Sequence, residues 1–122
     1  MICGIGTDIA KVSRFKKWID NPEMINHFFN EKEVKESGCE SALCQHYAAR
    51  FAAKEAIYKA VSSLLKERFS ISWQNAQVIN DENGNPKVEF IDIEFPEIQN
   101  IDISISHCRE YAVATVVITL YN

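Results

Sequence analysis

Two carboxylates in this sequence stand among residues too small to crowd a ligand. Asp8 ends the stretch CGIGTD, where strand alternation puts Gly4, Gly6 and Asp8 on one face and Cys3, Ile5 and Thr7 on the other. Such glycines leave room for a closely approaching ligand or backbone. Glu55 lies in HYAARFAAKEAIYKAVSSLL, residues 46–65, an alanine-rich helical run that also carries Arg50, Lys54 and Lys59. At about 100° per residue, Phe51, Glu55 and Lys59 share a stripe flanked by Ala48 and Ala52, which offer clearance beside the carboxylate. Ile57, Val61 and Leu64, with Ala53 and Ala60, form a separate apolar arc suited to a core. Magnesium takes one or two protein carboxylates and completes its shell with water and phosphate oxygens, so Asp8 and Glu55 suffice in number for phosphoryl chemistry. Lys59, one turn beyond Glu55, has the reach to meet a phosphate as a point charge. Each feature also has a plainer reading. Asp8 can cap a following helix, and Glu55 with Lys59 makes an i,i+4 pair in the favourable order, contributing roughly 0.2–0.5 kcal/mol on an exposed face. Spacing alone does not bring Asp8 to Glu55.

The elements that must position these residues are legible in outline. A first strand runs from Ile2 to Ile9. Ser13 is placed to cap a short helix carrying Phe15, Trp18 and Ile19, and Asn21-Pro22 restarts helical structure with proline at its favoured first position. Asn30 with Glu33 reads as a capping-box variant, and Gly38 as the end of that helix, so the N-terminal third is expected to be mostly helical. Ser41 opens a long helix that continues without glycine or proline to about Glu67. A short strand follows within Ile71 to Ile79, Asn83-Gly84 is a hairpin turn signal, and Lys87 to Phe95 returns as the partner, stopped by Pro96. Ile101, Ile103 and Ile105 alternate with Asp102, Ser104 and Ser106, and after the HCRE turn the run AVATVVITL supplies another strand. Helices followed by antiparallel hairpins predict an α+β fold with the long helix packed on a mainly antiparallel sheet.

With 122 residues the chain is read as a single domain, 1–122, whose one core must also carry any site. Hydrophobic residues at 47% and charged residues at 25% are globular values, and no apolar run approaches the length of a membrane span, so no membrane partner is expected. The N-terminus MICGIGTDIA lacks the pattern of a secretory signal, which points to the cytoplasm. A net charge of −4 argues against broad nucleic-acid binding, although Lys11, Arg14, Lys16 and Lys17 form a local basic patch. Cys3, Cys39, Cys44 and Cys108 contain no C-x-x-C and read as reduced thiols. The looser Cys39, Cys44, His46 cluster falls short of the four ligands a closed zinc site needs.

The blocks GIGTDIAKVSRF, ARFAAKEAIYKA and ISISHCREYAVATVV resemble, in order and spacing, the bacterial holo-[acyl-carrier-protein] synthases, which are 4'-phosphopantetheinyl transferases. The resemblance implies the fold of that family and transfer of the 4'-phosphopantetheine arm from coenzyme A to a serine of apo acyl carrier protein, releasing adenosine 3',5'-bisphosphate with Mg²⁺ as cofactor. By resemblance Asp8 and Glu55 are the metal ligands and Lys59 stands near the pyrophosphate. Arg50, Lys54, Ser106 and His107 line the coenzyme A site, with Asn83, Gly84 and Pro86 in a loop near the nucleotide. Arg14 and Lys17 face the acidic carrier, and the assembly is a homotrimer with active sites at subunit interfaces. Glu55, a metal-bound water and His107 are three candidates for the general base. One departure stands out: VSSLLKERFSIS has no glycine where the family has a glycine-rich turn, so either side chains such as Ser62, Lys66 or Arg68 take its place or the helix runs longer. Two other readings of the same residues are a non-catalytic binding module and a different Mg²⁺-dependent nucleotide transferase.

Overall fold

The computed structural model describes residues 3–64 and 71–122. The first strand, β1 (Cys3–Lys11), pairs antiparallel with the last, β5 (Tyr111–Leu120), and β5 pairs on its other side with β4 (Ile98–His107), giving the order β1-β5-β4. A separate antiparallel hairpin joins β2 (Ala76–Asn80) to β3 (Pro86–Phe90). The long helix α2 (Glu40–Leu64) packs on β1 and β5. This is the expected α+β arrangement, and the expected extension of the helix to Glu67, with Lys66 and Arg68, lies outside the described residues.

Alternation sets the two faces of the larger sheet. Ala112, Ala114, Val116 and Ile118 of β5 are fully buried under α2, whereas Tyr111 and Val113 are exposed on the reverse. On β1 the inward residues are Gly4, Gly6, Asp8 and Ala10, and here the glycines have a definite job. A Cβ on Gly6 would stand 2.0 Å from the carbonyl oxygen of Ala56, and one on Gly4 would meet Leu64 at 2.4 Å and the Ala60 carbonyl at 2.8 Å. The space beside these glycines is therefore filled by helix backbone and not by a ligand. The alanines of α2 serve the same contact from the other side. Ala48, Ala52, Ala56 and Ala60 are all fully buried, so Ala48 and Ala52 form core and not clearance beside Glu55.

The N-terminal third is less helical than its sequence suggests. Ser13 caps nothing: a 3-10 turn at Val12–Lys16 follows β1 directly, tied by Val12 N–H to the Glu110 carbonyl at 2.8 Å. Phe15 and Trp18 hold this turn in place by inserting against Phe51, with ring centroids 5.6 and 5.5 Å away. Helix α1 (Pro22–Phe28) begins as expected, Asn21 Oδ1 accepting the Met24 N–H at 3.2 Å. Beyond it only a 3-10 turn at Glu31–Glu33 remains helical, and Gly38, at φ +143°, lies in the loop leading to α2. The NG hairpin turn is present, with Gly84 at φ +80°. Its returning strand stops at Phe90 and not Phe95, because Asp92 takes φ +58° and turns the chain away.

Candidate active site

Helix α2 separates two groups of polar residues. The first is assembled where β1 leaves the glycine contact. Asp8 has the same inward parity as Gly4 and Gly6, but it stands past the point where the helix backbone touches the strand, so its carboxylate is only partly covered. Lys59 Nζ donates to Asp8 Oδ1 at 2.9 Å and to the Thr7 carbonyl at 3.0 Å, pinning the helix to the strand end. The sequence left Lys59 a choice between Glu55 and something more distant, and these bonds go to β1. Glu55 is half-buried beside them. Burial pushes its carboxyl up from the usual carboxylate range and the negative charge of Asp8 pushes it further, with Lys59 and then Arg14 drawing it back. Asp8 in turn holds the Lys59 ammonium above its ordinary value through their hydrogen bond. Asp8 and Glu55 thus lie close enough to feel each other's charge, with Lys59 bonded to the first and Arg14 near the second.

Arg14 reaches this group from the 3-10 turn. Its guanidinium lies 4.8 Å from the centroid of Phe51, one turn before Glu55, and 5.6 Å from Trp18. Lys17 is exposed on the same segment, and Lys16 pairs with Glu40 at 3.5 Å.

The second group surrounds a cavity of about 510 Å³ between the first half of α2, the β2–β3 hairpin and the end of β4. Arg50, Gly84, Pro86 and His107 line it, together with His46 and Asn80. Arg50 Nη2 donates to Asn80 Oδ1 at 3.2 Å, while its Nε is the one buried side-chain polar atom among the described residues without a hydrogen-bond partner. His107 Nδ1 lies 3.0 Å from Gln45 Oε1, which holds the ring at the cavity mouth. Asn83 sits at the exposed hairpin tip next to Gly84, its N–H bound to Asp81 Oδ1 at 2.9 Å.

Two residues assigned to this cavity by resemblance stand elsewhere. Ser106 is on the opposite face of β4 from Ile105 and His107, as alternation requires, and points away from it. Lys54 is withdrawn into the core at 1% exposure, with Nζ 2.5 Å from Glu33 Oε1. Glu33 is the residue the sequence did not bring forward. It does accept the Asn30 N–H at 3.0 Å, as the capping-box reading requires, but its other carboxylate oxygen accepts the Val78 N–H at 3.0 Å. A partner so far along the chain leaves no periodic signal.

The sequence model of the 4'-phosphopantetheinyl transferase superfamily matches residues 4–116. A holo-[acyl-carrier-protein] synthase of Thermodesulfovibrio yellowstonii is 40% identical over 98% of this chain and 100% of its own length. The chain belongs to the holo-[acyl-carrier-protein] synthase family of 4'-phosphopantetheinyl transferases. The synthase of Geotalea daltonii is 35% identical over 97% of this chain and 98% of its own. Among solved structures, the Bacillus anthracis synthase in complex with CoA (3',5'-ADP) is 35% identical with a TM-score of 0.73 over 94% of each chain. The Mycobacterium tuberculosis acyl carrier protein synthase superposes with a TM-score of 0.75 over 97% of both chains at 26% identity. This phosphopantetheinyl transferase therefore shares the α+β architecture of those synthases, long helix and antiparallel sheets included.

Proposed function

We propose that the chain transfers the 4'-phosphopantetheine arm of coenzyme A to a serine of an apo acyl carrier protein, giving the holo carrier and adenosine 3',5'-bisphosphate. The observation that carries this reading is the cluster of Asp8, Glu55, Lys59 and Arg14, in which Lys59 is bonded to Asp8 and Glu55 stands within the field of all three charges. Two adjacent partly open carboxylates fit the donor set of Mg²⁺, which keeps several positions for water and phosphate. Asp8 and Glu55 would hold it, and when bound it supplies positive charge to the phosphoryl oxygens and the departing bisphosphate. Lys59 is placed to shift from Asp8 to a pyrophosphate oxygen, and the cavity beside Arg50 fixes the nucleotide end so that the serine oxygen meets phosphorus in line with the leaving group. The Ser–O–P bond forms as the pyrophosphate P–O bond breaks, the bisphosphate leaving with that electron pair and the serine proton passing to a general base, for which Glu55, a metal-bound water and His107 are the candidates.

The division of the site supports a ring of copies. Arg50 and Glu55 are about 140° apart around the helix axis, so one copy presents the cavity and the carboxylates on different flanks of α2. A heterologous contact whose rotation closes would lay the cavity of one copy against the carboxylates of the next in a cyclic oligomer, and the homotrimer implied by the family resemblance is such a ring. The reverse face of the sheet offers the packing surface: Ile5 and Ile9 of β1 are 65% and 61% exposed, beside Tyr111 and Val113 of β5. Arg14, near Glu55, and Lys17, on the same segment, are exposed cations and suit an acidic carrier protein. The free thiols of Cys3, Cys39, Cys44 and Cys108 suit the cytoplasm.

The deciding experiment is mass spectrometry of an apo carrier protein incubated with coenzyme A, Mg²⁺ and the purified chain. A gain of about 340 Da, the mass of the arm, with release of adenosine 3',5'-bisphosphate is expected. No gain on any carrier would favour a binding module, and a different nucleotide product would favour another transferase. Light scattering should give three times the chain mass of 13.9 kDa, and a monomer that turns over at full rate would remove the shared site.

A further inference from the structure

Lys54 and Glu33 form a buried ion pair whose partners reach three of the segments that line the cavity, the loop before α2, α2 itself and the β2–β3 hairpin. Glu33 belongs to the segment between α1 and α2, from which Lys35 and Cys39 enter the cavity lining. Its Oε1 accepts from Lys54 of α2 at 2.5 Å and from the Asn30 N–H at 3.0 Å, its Oε2 accepts the Val78 N–H of β2 at 3.0 Å, and its backbone carbonyl accepts His46 Nε2–H of α2 at 2.7 Å. Asn30 Nδ2 then donates to the Gln74 carbonyl at 3.0 Å, next to β2. Two residues beyond Val78, Asn80 accepts from Arg50 at 3.2 Å on the cavity surface. The loop, the helix and the hairpin have no other common residue among these bonds.

We propose that Glu33 and Lys54 are positioning residues for the nucleotide end of coenzyme A: they act by fixing Arg50, His46 and Asn80 relative to one another and touch no part of the substrate. This rests on the proposal that the cavity takes that end of coenzyme A. The geometry separates it from direct phosphate binding by Lys54, whose ammonium is shut from solvent and already bonded. A buried charge pair of this kind contributes registry between elements more readily than net stability, since desolvation offsets most of its attraction.

The test uses the full chain, with adenosine 3',5'-bisphosphate titrated calorimetrically into wild type, Lys54→Met, Glu33→Gln and the double variant. Circular dichroism establishes that each is folded at the temperature used. Wild type should bind, and each single substitution should weaken binding at least about tenfold, in the same direction although the two change the local charge with opposite sign. In steady state the KM for coenzyme A should rise in step while kcat at saturation stays within about threefold, since Asp8 and Glu55 lie on the other flank. If Lys54→Met alone weakens binding while Glu33→Gln binds as wild type does or more tightly, Lys54 meets the phosphate itself and the positioning role is wrong. Unchanged affinity in both variants overturns it equally. A wild type that fails to bind the bisphosphate removes the cavity assignment and the inference with it. Should Lys54→Met not fold, the double variant, which leaves no unpaired buried charge, carries the same comparison of affinity and of KM against kcat.

Discussion

Helix α2 carries two lysine–carboxylate pairs of nearly the same chemistry, five positions apart. Lys54 and Glu33 meet at 2.5 Å with side chains 1% and 0% exposed, whereas Lys59 and Asp8 meet at 2.9 Å with side chains 52% and 18% exposed. The first pair is closed, every oxygen of Glu33 being bonded to protein. The second is open, and its cation holds a carboxylate that water reaches. An enclosed pair fixes elements, because exchanging either partner costs the desolvation of the other. A wet pair is cheap to rearrange and so is suited to trading partners with an incoming phosphate.

That contrast makes unequal demands on substitution. The largest effect is expected at the open site. Asp8→Ala or Glu55→Ala should lower carrier modification by about a thousandfold or more, with the far-ultraviolet circular dichroism unchanged, as read by mass spectrometry of the carrier. Near-normal turnover would show that the open cluster is not the reaction centre. Next, Lys54→Met should destabilise the fold by about 3–5 kcal/mol in urea titrations, because it strands the Glu33 charge, while Lys59→Met should leave the midpoint essentially where it was. Equal shifts would erase the distinction between the pairs. Arg14→Glu, on the open flank, should raise the KM for the carrier by about tenfold and that for coenzyme A much less.

The smallest effect concerns protons on the closed flank. Burial pushes the His46 imidazole below its ordinary value, against the bond to the Glu33 carbonyl, with Arg50, Lys35 and His107 lowering it further. The unfolded chain then takes up a proton near pH 6.5 that the folded chain refuses, so stability falls as pH drops through and below that value. His46→Gln should lose less of its urea midpoint than wild type between about pH 7.5 and pH 5.5. A larger loss in the variant would mean that this flank is not closed to protons.

What could be read from the sequence was what depends on neighbours close in the chain. Alternation in AVATVVITL, the NG turn and the uninterrupted run of α2 are local signals, and the corresponding elements stand where they point. Ser13 caps no helix and Gly38 ends none, because Phe15, Trp18 and Phe29 hold this segment by insertion into the core and its caps come from Asn21 and the Asn30–Glu33 pair. At the site, Asp8, Glu55 and Lys59 were found from their small neighbours, and the structure does bring them together. The smallness of those neighbours serves packing, since glycine and alanine there admit the helix and not a ligand. Lys54 could not be told from Lys59, because what separates them is a loop carboxylate 21 positions upstream of Lys54 that no helical or strand period connects to it.

The contact of β1 with α2 has one more consequence. A carbon added at Gly6 would stand 2.0 Å from the Ala56 carbonyl, so strand and helix meet main chain to main chain, with no side chain between them to swivel or compress. The joint has no backlash. Asp8 follows Gly6 by two residues and Glu55 directly precedes Ala56, so the two carboxylates are gauged against each other by the stiffest parts of the polypeptide, and the distance between their anchor points is set before any ligand arrives.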